Sequence, residues 1–416
     1  MAFSYIDIFA GAGGLSEGFQ RNGYIPVAHV EMKKEACFTL KTRECFYYLK
    51  KHGRIEDYKN YLRKEITRDE LYAMVPEEVL DSVINETMSE EGMPALFDRI
   101  DHLMEMQGIE NVDVLVGGPP CQAYSLVGRA RSKTNMVGDP RNYLYMLYCE
   151  VLEKYQPKLF VFENVPGLLT ANGGSYFDDM RERFSKAGYF LEHRILNSKE
   201  YGVLQNRRRV ILIGWRDGTD FTYPELDKKE QKYLVEDLFS DLPSIEPGET
   251  RNVYKCKSTE YLRESGIRTE SDILTLHQAR PNQERDRKIY RQVIEAWNDG
   301  QKRLKYTELP EELCTHNNRT AFLDRFKVVA KDMPYAQTMV AHISKDGHYF
   351  IHPDIKQARS ISVREAARIQ SFPDDYFFEG GRTAAFLQIG NAVPPLLASA
   401  IAKKLKEQLT EEEANG

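Results

Sequence analysis

The stretch that decides the fold is residues 4–31, SYIDIFAGAGGLSEGFQRNGYIPVAHVE. Ser4 to Phe9 is apolar and rich in β-formers, a glycine cluster follows, LSEGFQRNG has helical composition, and YIPVAHVE is a second strand-like run. Strand, glycine turn, helix and strand in so short a span form one parallel βαβ unit. Working outward, strand-length apolar runs recur at Val112–Gly118, Lys158–Val165 and Arg207–Trp215, separated by helix-length sequence such as YLYMLYCEVLEKY at 143–155. Apolar runs without alternation suit parallel strands buried on both faces. The expected fold class is therefore α/β, a doubly wound, mostly parallel sheet over residues 1–215, with ligands at the carboxyl ends of its strands.

One departure interrupts this domain: Cys45 to Pro94 is charged and Tyr-rich, and reads as a helical insertion at about 45–94. After Trp215 the text turns to short, polar, proline-punctuated pieces, so 216–349 is expected to form a second, smaller domain. Helical periodicity returns over 350–416, in SVREAARIQSFPDDYFF and in GNAVPPLLASAIAKKLKEQL, where Leu396, Leu397, Ala400, Ile401 and Leu405 recur at helical spacing. That segment is expected to rejoin the first domain. No internal repeat is visible.

Composition narrows the function classes. With 416 residues, 42% hydrophobic and 29% charged, the chain is an ordinary globular protein and excludes disordered, collagen-like and coiled-coil classes. No run approaches the roughly 18–20 apolar residues of a membrane span, and the N-terminus lacks a basic leader and carries Asp7, so a cytoplasmic protein without a membrane partner is expected. The six cysteines form no CxxC pair, which fits a reducing compartment, and His342, His348 and His352 match no zinc spacing, so no metal is expected. Lys and Arg number 57 against 63 acids, a net charge of −6, so nucleic-acid binding must rest on local basic patches.

Several residue types point to chemistry at the strand ends. Gly11, Gly13 and Gly14 let the backbone turn and approach a ligand, although position 16 of the dinucleotide pattern is Ser16 and a purely structural turn explains them equally well. Glu31 ends the second strand, where a carboxylate accepts hydrogen bonds from ribose hydroxyls; taken alone, a solvated strand-end acid is the better reading. Cys121 follows VDVLVGGPP on a stiff Pro119-Pro120 turn, a crevice position for a residue that is otherwise most often an inert hydrophobe. Glu163 ends the next apolar strand at the same sheet edge, as an acid or as a cap on the following helix. In QNRRRVILIG, the alternation of a strand would put Gln205, Arg207 and Arg209 on one face.

Taken together and in this order, FAGAGG, GGPPCQAYS, FENV, QNRRR and GNAVPP resemble the DNA cytosine-5 methyltransferase family, and HVEMKKEA, DPRNYLY and REAARIQSFPDDY complete the likeness. The resemblance covers Ile6 to about Met32, Val112 to Trp215, and Arg319 to the C-terminal helix. It implies S-adenosylmethionine as cofactor, with Phe9, Gly11, Gly13, Gly14 and Leu15 along its methionine and sulfonium side, Glu31 on the ribose, Met32 on adenine and Asn391 closing the site. The family's adenine-side Asp is not legible: Asp98 and Asp101 are candidates, and neither is assigned. It further implies that Cys121 adds to carbon 6 of a flipped-out cytosine, that Glu163 serves ring nitrogen 3, and that Arg207 and Arg209 fix the ring carbonyl and the adjacent backbone.

For double-stranded DNA as partner, the resemblance makes Gln122 to Gly138, with Ser125, Arg129, Arg131 and Lys133, a closing loop, adds Gln205 as a contact, and makes 216–349 the target recognition domain. There, Arg287 and Arg291 are the candidates for phosphate contacts, against the alternative of a solvated helix face. A bacterial restriction-modification context, a cognate endonuclease and a monomer are the corresponding expectations. Competing readings are a transfer-RNA cytosine methyltransferase, a catalytically inactive DNA-binding relative, and a nucleotide-dependent oxidoreductase, which leaves PPC, ENV and QNRRR without a role.

Overall fold

The computed structural model describes residues 2–120 and 143–415. Among the described residues seven strands, β1 (Ser4–Ile8), β2 (Ile25–Glu31), β3 (Val83–Asn85), β4 (Val114–Gly117), β5 (Leu159–Asn164), β6 (Tyr189–Asn197) and β7 (Arg208–Arg216), form one sheet in the order β3-β2-β1-β4-β5-β7-β6. β1 to β5 pair in parallel, and the order reverses between β1 and β4, which opens a crevice at their carboxyl ends.

The unbroken apolar runs follow from burial on both faces. Val114, Val116, Leu159, Val161, Ile211 and Ile213 share one core with Phe19 and with Leu397, Ile401 and Leu405 of the last helix. Their alternates Leu115, Phe160, Phe162, Val210 and Leu212 share another with the helices Met93–Gln107, Leu144–Tyr155 and Ser175–Lys186. Each such side chain contributes roughly 1.5–3 kcal/mol on burial.

Three expectations are corrected. β7 runs antiparallel to β5, with Glu163 opposite Ile211 and Asn164 opposite Val210. The cause is β6, which pairs antiparallel with β7 across a connection too short for the crossover a parallel neighbour requires. β6 escaped notice because its sequence, YFLEHRILN, mixes charged and apolar residues, as suits a half-exposed edge strand. The insertion is not wholly helical either. Helices Lys34–Lys51, Ile55–Leu62, Arg68–Tyr72 and Glu77–Asp81 lead into β3, which extends the sheet beside β2, with Asn85 opposite Glu31.

Nor does the C-terminal segment rejoin the first domain as a whole. Among the described residues, Val393 and the helix Pro395–Asn415 are the part of it that packs on the sheet. Ile361, Val363, Ala367, Phe372, Phe386 and Ile389 share a core with Val235, Leu238, Tyr261 and Leu262 of the middle region. That region contributes no strand to the sheet among the described residues, and the helix Glu284–Asn298 centres its own cluster on Ile289, Tyr290, Val293 and Trp297.

Buried charge ties the two segments together. Arg368 spans Asp241 and Asp374 at 2.6 Å each, and Arg359 pairs with Glu365 at 2.7 Å. Arg364 donates to the carbonyls of Thr275, Pro373 and Tyr376. Arg364 and Arg368 are the physical content of the REAARIQSFPDDY motif, and with Arg359 just before it they fix which segments meet.

Candidate active site

The turn after β1 is wound by three left-handed residues, Phe9 (φ 57°), Gly11 (φ 58°) and Gly13 (φ 74°). Phe9 carries strain there that the surrounding hydrogen bonds must offset. Ala10 N–H donates to the carbonyl of Val30, and Gly11 N–H donates to Glu31 Oε2 at 2.9 Å. Glu31 Oε1 accepts from Lys33 N–H at 2.7 Å, so this buried strand-end acid orders the loop on both sides.

A Cβ on Gly11 would meet no atom within 4 Å, which leaves an open cradle. Gly14 differs: a Cβ there would lie 2.2 Å from the carbonyl oxygen of Val393, so it serves the close approach of GNAVPP. Leu15, expected along the cofactor, turns its side chain into the core beside Val393 and Leu397. What Gly14 and Leu15 offer a ligand is backbone amides at the start of the helix Gly14–Arg21, which has no side-chain cap.

Ser16 is explained as well. Its hydroxyl donates to Asp7 on β1 and lies 3.1 Å from Nδ1 of His29 on β2, whose Nε2 lies 3.2 Å from Glu44. Burial pushes Asp7 up to about 6, against the opposing pull of His29 and Ser16. The glycine of the dinucleotide pattern is thus replaced by a residue that bolts the helix to the sheet.

Met32 is 48% exposed at the end of β2, beside Asn85, whose amide donates to the carbonyls of Glu31 and Met32. Asn85 was missed because the short β3 carries no periodic signal. Asp98 and Asp101 are exposed on the helix Met93–Gln107, where Asp101 pairs with Lys154 at 2.8 Å.

On the other side of the crevice, Glu163 is buried and pairs with Arg209 Nε at 2.7 Å. The antiparallel direction of β7 makes this possible, because it puts the start of that strand at the carboxyl end of β5. A Cβ on Gly118 would lie 2.9 Å from Glu163 Oε2, so glycine is what the carboxylate tolerates there. The side chain of Asn164 donates to the carbonyl of Pro119 at 3.2 Å and accepts from Val165 N–H, which pins the proline turn that carries the chain toward Cys121. Cys121, Gln122, Ser125, Arg129, Arg131 and Lys133 lie outside the described residues.

Arg207 and Gln205 do not share a strand face with Arg209, since β7 begins at Arg208. Arg207 is fully buried and donates to the carbonyls of Met339, Gly390 and Ala392. Gln205, equally buried, donates to Ile369 O and Gln370 Oε1 and accepts from Met339 N–H at 2.7 Å. These hydrogen bonds thus run to protein groups rather than toward the crevice. Arg207 holds the helix end at which Asn391 is exposed, together with Gln370, which donates to the carbonyls of Ile389 and Ala392 and is itself held by Gln205.

A glycine turn after β1, an acid ending β2, and a sheet whose seventh strand runs antiparallel between β5 and β6 define the S-adenosylmethionine-dependent methyltransferase fold. The family model for C-5 cytosine-specific DNA methylase matches residues 3–76 and 96–407, and the chain belongs to that family. It is a DNA cytosine-5 methyltransferase, and its methyl donor is S-adenosylmethionine. The match runs through the first helices of the insertion, so the unmatched gap of 77–95 contains β3.

Among relatives, the chain is 41% identical to the type II methyltransferase M.Bpa9945I of Bacillus paralicheniformis, covering 97% of this chain and 98% of that one. It is 29% identical to the type II methyltransferase M1.HphI of Haemophilus parahaemolyticus, over 99% and 89%. A crystal structure described as a putative DNA modification methyltransferase encoded within a prophage of E. coli shares the fold, with a TM-score of 0.64 at 22% identity over 98% of this chain and 100% of that one. Among the described residues no single helix is long and apolar enough to cross a membrane.

Proposed function

We propose that the chain methylates carbon 5 of a flipped-out cytosine in double-stranded DNA through a transient Cys121 adduct, as the modification enzyme of a bacterial restriction-modification system. The observation that carries this reading is the Glu163–Arg209 pair, at the sheet edge from which the Asn164-pinned proline turn leads to Cys121. Carbon 5 of cytosine is a weak nucleophile. The Cys121 thiolate adds to carbon 6 while Glu163 hydrogen-bonds or protonates nitrogen 3, which makes carbon 5 electron-rich. Arg209, beside Glu163, orients that carboxylate and faces the ring carbonyl. After methyl transfer, carbon 5 loses its proton to a base and the thiolate is expelled.

S-adenosylmethionine, when bound, supplies the electrophilic methyl group. The open cradle at Gly11, the exposed Met32 and the uncapped helix start fit it: Glu31 would hold the ribose, Met32 the adenine, Asn391 the C-terminal side, and the first amides of Gly14–Arg21 the amino-acid carboxylate. Glu31→Ala should weaken cofactor binding by about 1.5–3 kcal/mol, the scale of hydrogen bonds to a charged group. Calorimetry with S-adenosylhomocysteine checks it, and unchanged affinity would remove Glu31 from the site.

The names of the type II relatives support the restriction-modification context. A cognate endonuclease, a monomeric state and a cytoplasmic location belong to the same proposal. Bisulfite sequencing of a plasmid carrying the gene tests it: protected cytosines in one short recurring sequence are expected. Modified transfer RNA with unmodified plasmid would favour the RNA reading, and duplex binding without methylation of either would favour an inactive relative.

The DNA surface of the middle region is a separate matter. Arg287 and Arg291 lie one turn apart on the helix Glu284–Asn298, but Arg287 pairs with Glu246 at 3.0 Å and Arg291 with Glu284 at 3.3 Å. If they nonetheless contact phosphates, replacing both with Ala should lower the salt slope of duplex binding by up to about two, near one per lost contact, and leave the methylated sequence unchanged. Wild-type affinity and slope in a salt titration would make this a solvated helix face.

A further inference from the structure

The carbonyl of Ala12 sits between the left-handed Gly11 and Gly13, and its hydrogen-bond donor comes from far away in the chain. The donor is the hydroxyl of Tyr376, 364 positions along, and both residues are buried. The approach is so close that a Cβ on Gly13 would lie 2.8 Å from the Tyr376 hydroxyl oxygen. An unsecured carbonyl in this loop would be free to turn its lone pairs toward a bound carboxylate. The hydrogen bond turns it away and leaves the loop's amides to the ligand.

Tyr376 is itself held from two directions. Its ring packs on Phe372 and Phe378 at centroid distances of 4.8 and 5.2 Å, and its carbonyl accepts from Arg364. From the other side come the helix Lys34–Lys51, whose second half opens the insertion, and the helix Ile55–Leu62 within it. Arg43 lies 4.9 Å from the centre of the Tyr376 ring and pairs with Asp375 at 2.9 Å and with Glu17, on the helix that follows the loop, at 2.7 Å. The Tyr58 hydroxyl donates to the carbonyl of Asp375 at 2.8 Å, while Tyr61 and Thr42 both donate to Glu379 at 2.6 Å. The helices Lys34–Lys51 and Ile55–Leu62 therefore grip residues 375–379, and those residues grip the loop.

We propose that Tyr376 is a positioning residue for the cofactor loop and that the helices Lys34–Lys51 and Ile55–Leu62 act through it, as a brace that sets cofactor affinity from outside the site. The inference rests on the placement of S-adenosylmethionine at this loop, so Glu31→Ala serves as the control for that placement. The test is calorimetry with S-adenosylhomocysteine on the full-length Tyr376→Phe, Tyr58→Phe and Glu31→Ala variants, with thermal melts, duplex binding and steady-state kinetics alongside.

Loss of one hydrogen bond in Tyr376→Phe should weaken binding about five- to tenfold and raise KM for the cofactor in parallel, with kcat at saturating cofactor and duplex affinity within about twofold of wild type. Tyr58→Phe, which removes a bond two steps from the ligand, should shift affinity in the same direction by about two- to threefold. If Tyr376→Phe melts early, Tyr58→Phe decides alone. Unchanged affinity in either deciding variant, with Glu31→Ala weakened, overturns the brace, as does a fall in kcat at unchanged affinity. Unchanged affinity in Glu31→Ala instead overturns the placement on which the brace rests.

Discussion

Cys121→Ser should abolish methyl transfer, lowering the rate roughly 10³-fold or more, because a serine hydroxyl is far less nucleophilic than a thiolate at neutral pH. The expectation rests on the position of Cys121 immediately after the Pro119-Pro120 turn, which Asn164 pins beside Glu163. Duplex binding should survive, since no phosphate contact is assigned to this side chain. Transfer of labelled methyl groups to DNA measures the first quantity and filter binding the second. DNA with 5-fluorocytosine at the target should trap a covalent complex on Cys121, because fluorine cannot leave as the carbon 5 proton does. Full activity in the serine variant, or an adduct mapped to another residue, would exclude the mechanism.

Arg368→Met carries the second large effect, on stability. Arg368 is fully buried between Asp241 and Asp374, and its removal leaves Asp374 without its principal partner. Breaking a buried pair from one side costs about 3–5 kcal/mol. Burial alone would raise the Asp374 carboxyl, but Arg368, with help from Arg364 and the Tyr254 hydroxyl, outweighs it and holds the group below the ordinary carboxylate range. A depressed folded pKa gives stability that is present above the unfolded value and lost as pH falls through the folded one. In the variant Asp374 keeps Arg364 at 3.7 Å and the Tyr254 hydroxyl at 2.7 Å, but burial, the largest single influence on it, then outweighs these two, so the carboxyl should rise above its unfolded value and folding be penalised as pH rises. The deficit relative to wild type should therefore be larger at pH 8 than at pH 5 in urea melts. A deficit below about 1 kcal/mol, or one that grows toward acid, would show that the carboxylate finds other partners.

How much of this was legible beforehand depends on whether a feature is local. The βαβ unit of residues 4–31 was readable because apolar runs, a glycine turn and a helical stretch succeed one another directly, and each signals its own backbone conformation. Glu31 and Glu163 were identifiable as strand-end acids for the same reason: the end of an apolar run marks the edge of the sheet. The motif order was enough to suggest the family, and with it the cofactor.

The direction of β7, and with it the meeting of Arg209 and Glu163, was decided by tertiary structure, because an apolar run reads the same whichever way its neighbour points. Arg207 and Arg209 are two residues apart in one arginine run, yet one is sealed against Met339, Gly390 and Ala392 while the other reaches the site. Nothing local separates them. Local periodicity encodes which face of an element leaves water, whereas the role of a polar side chain is set by what is packed opposite it. For Arg207, Gln205 and Tyr376 that partner lies more than a hundred residues away, and only the folded chain brings it there.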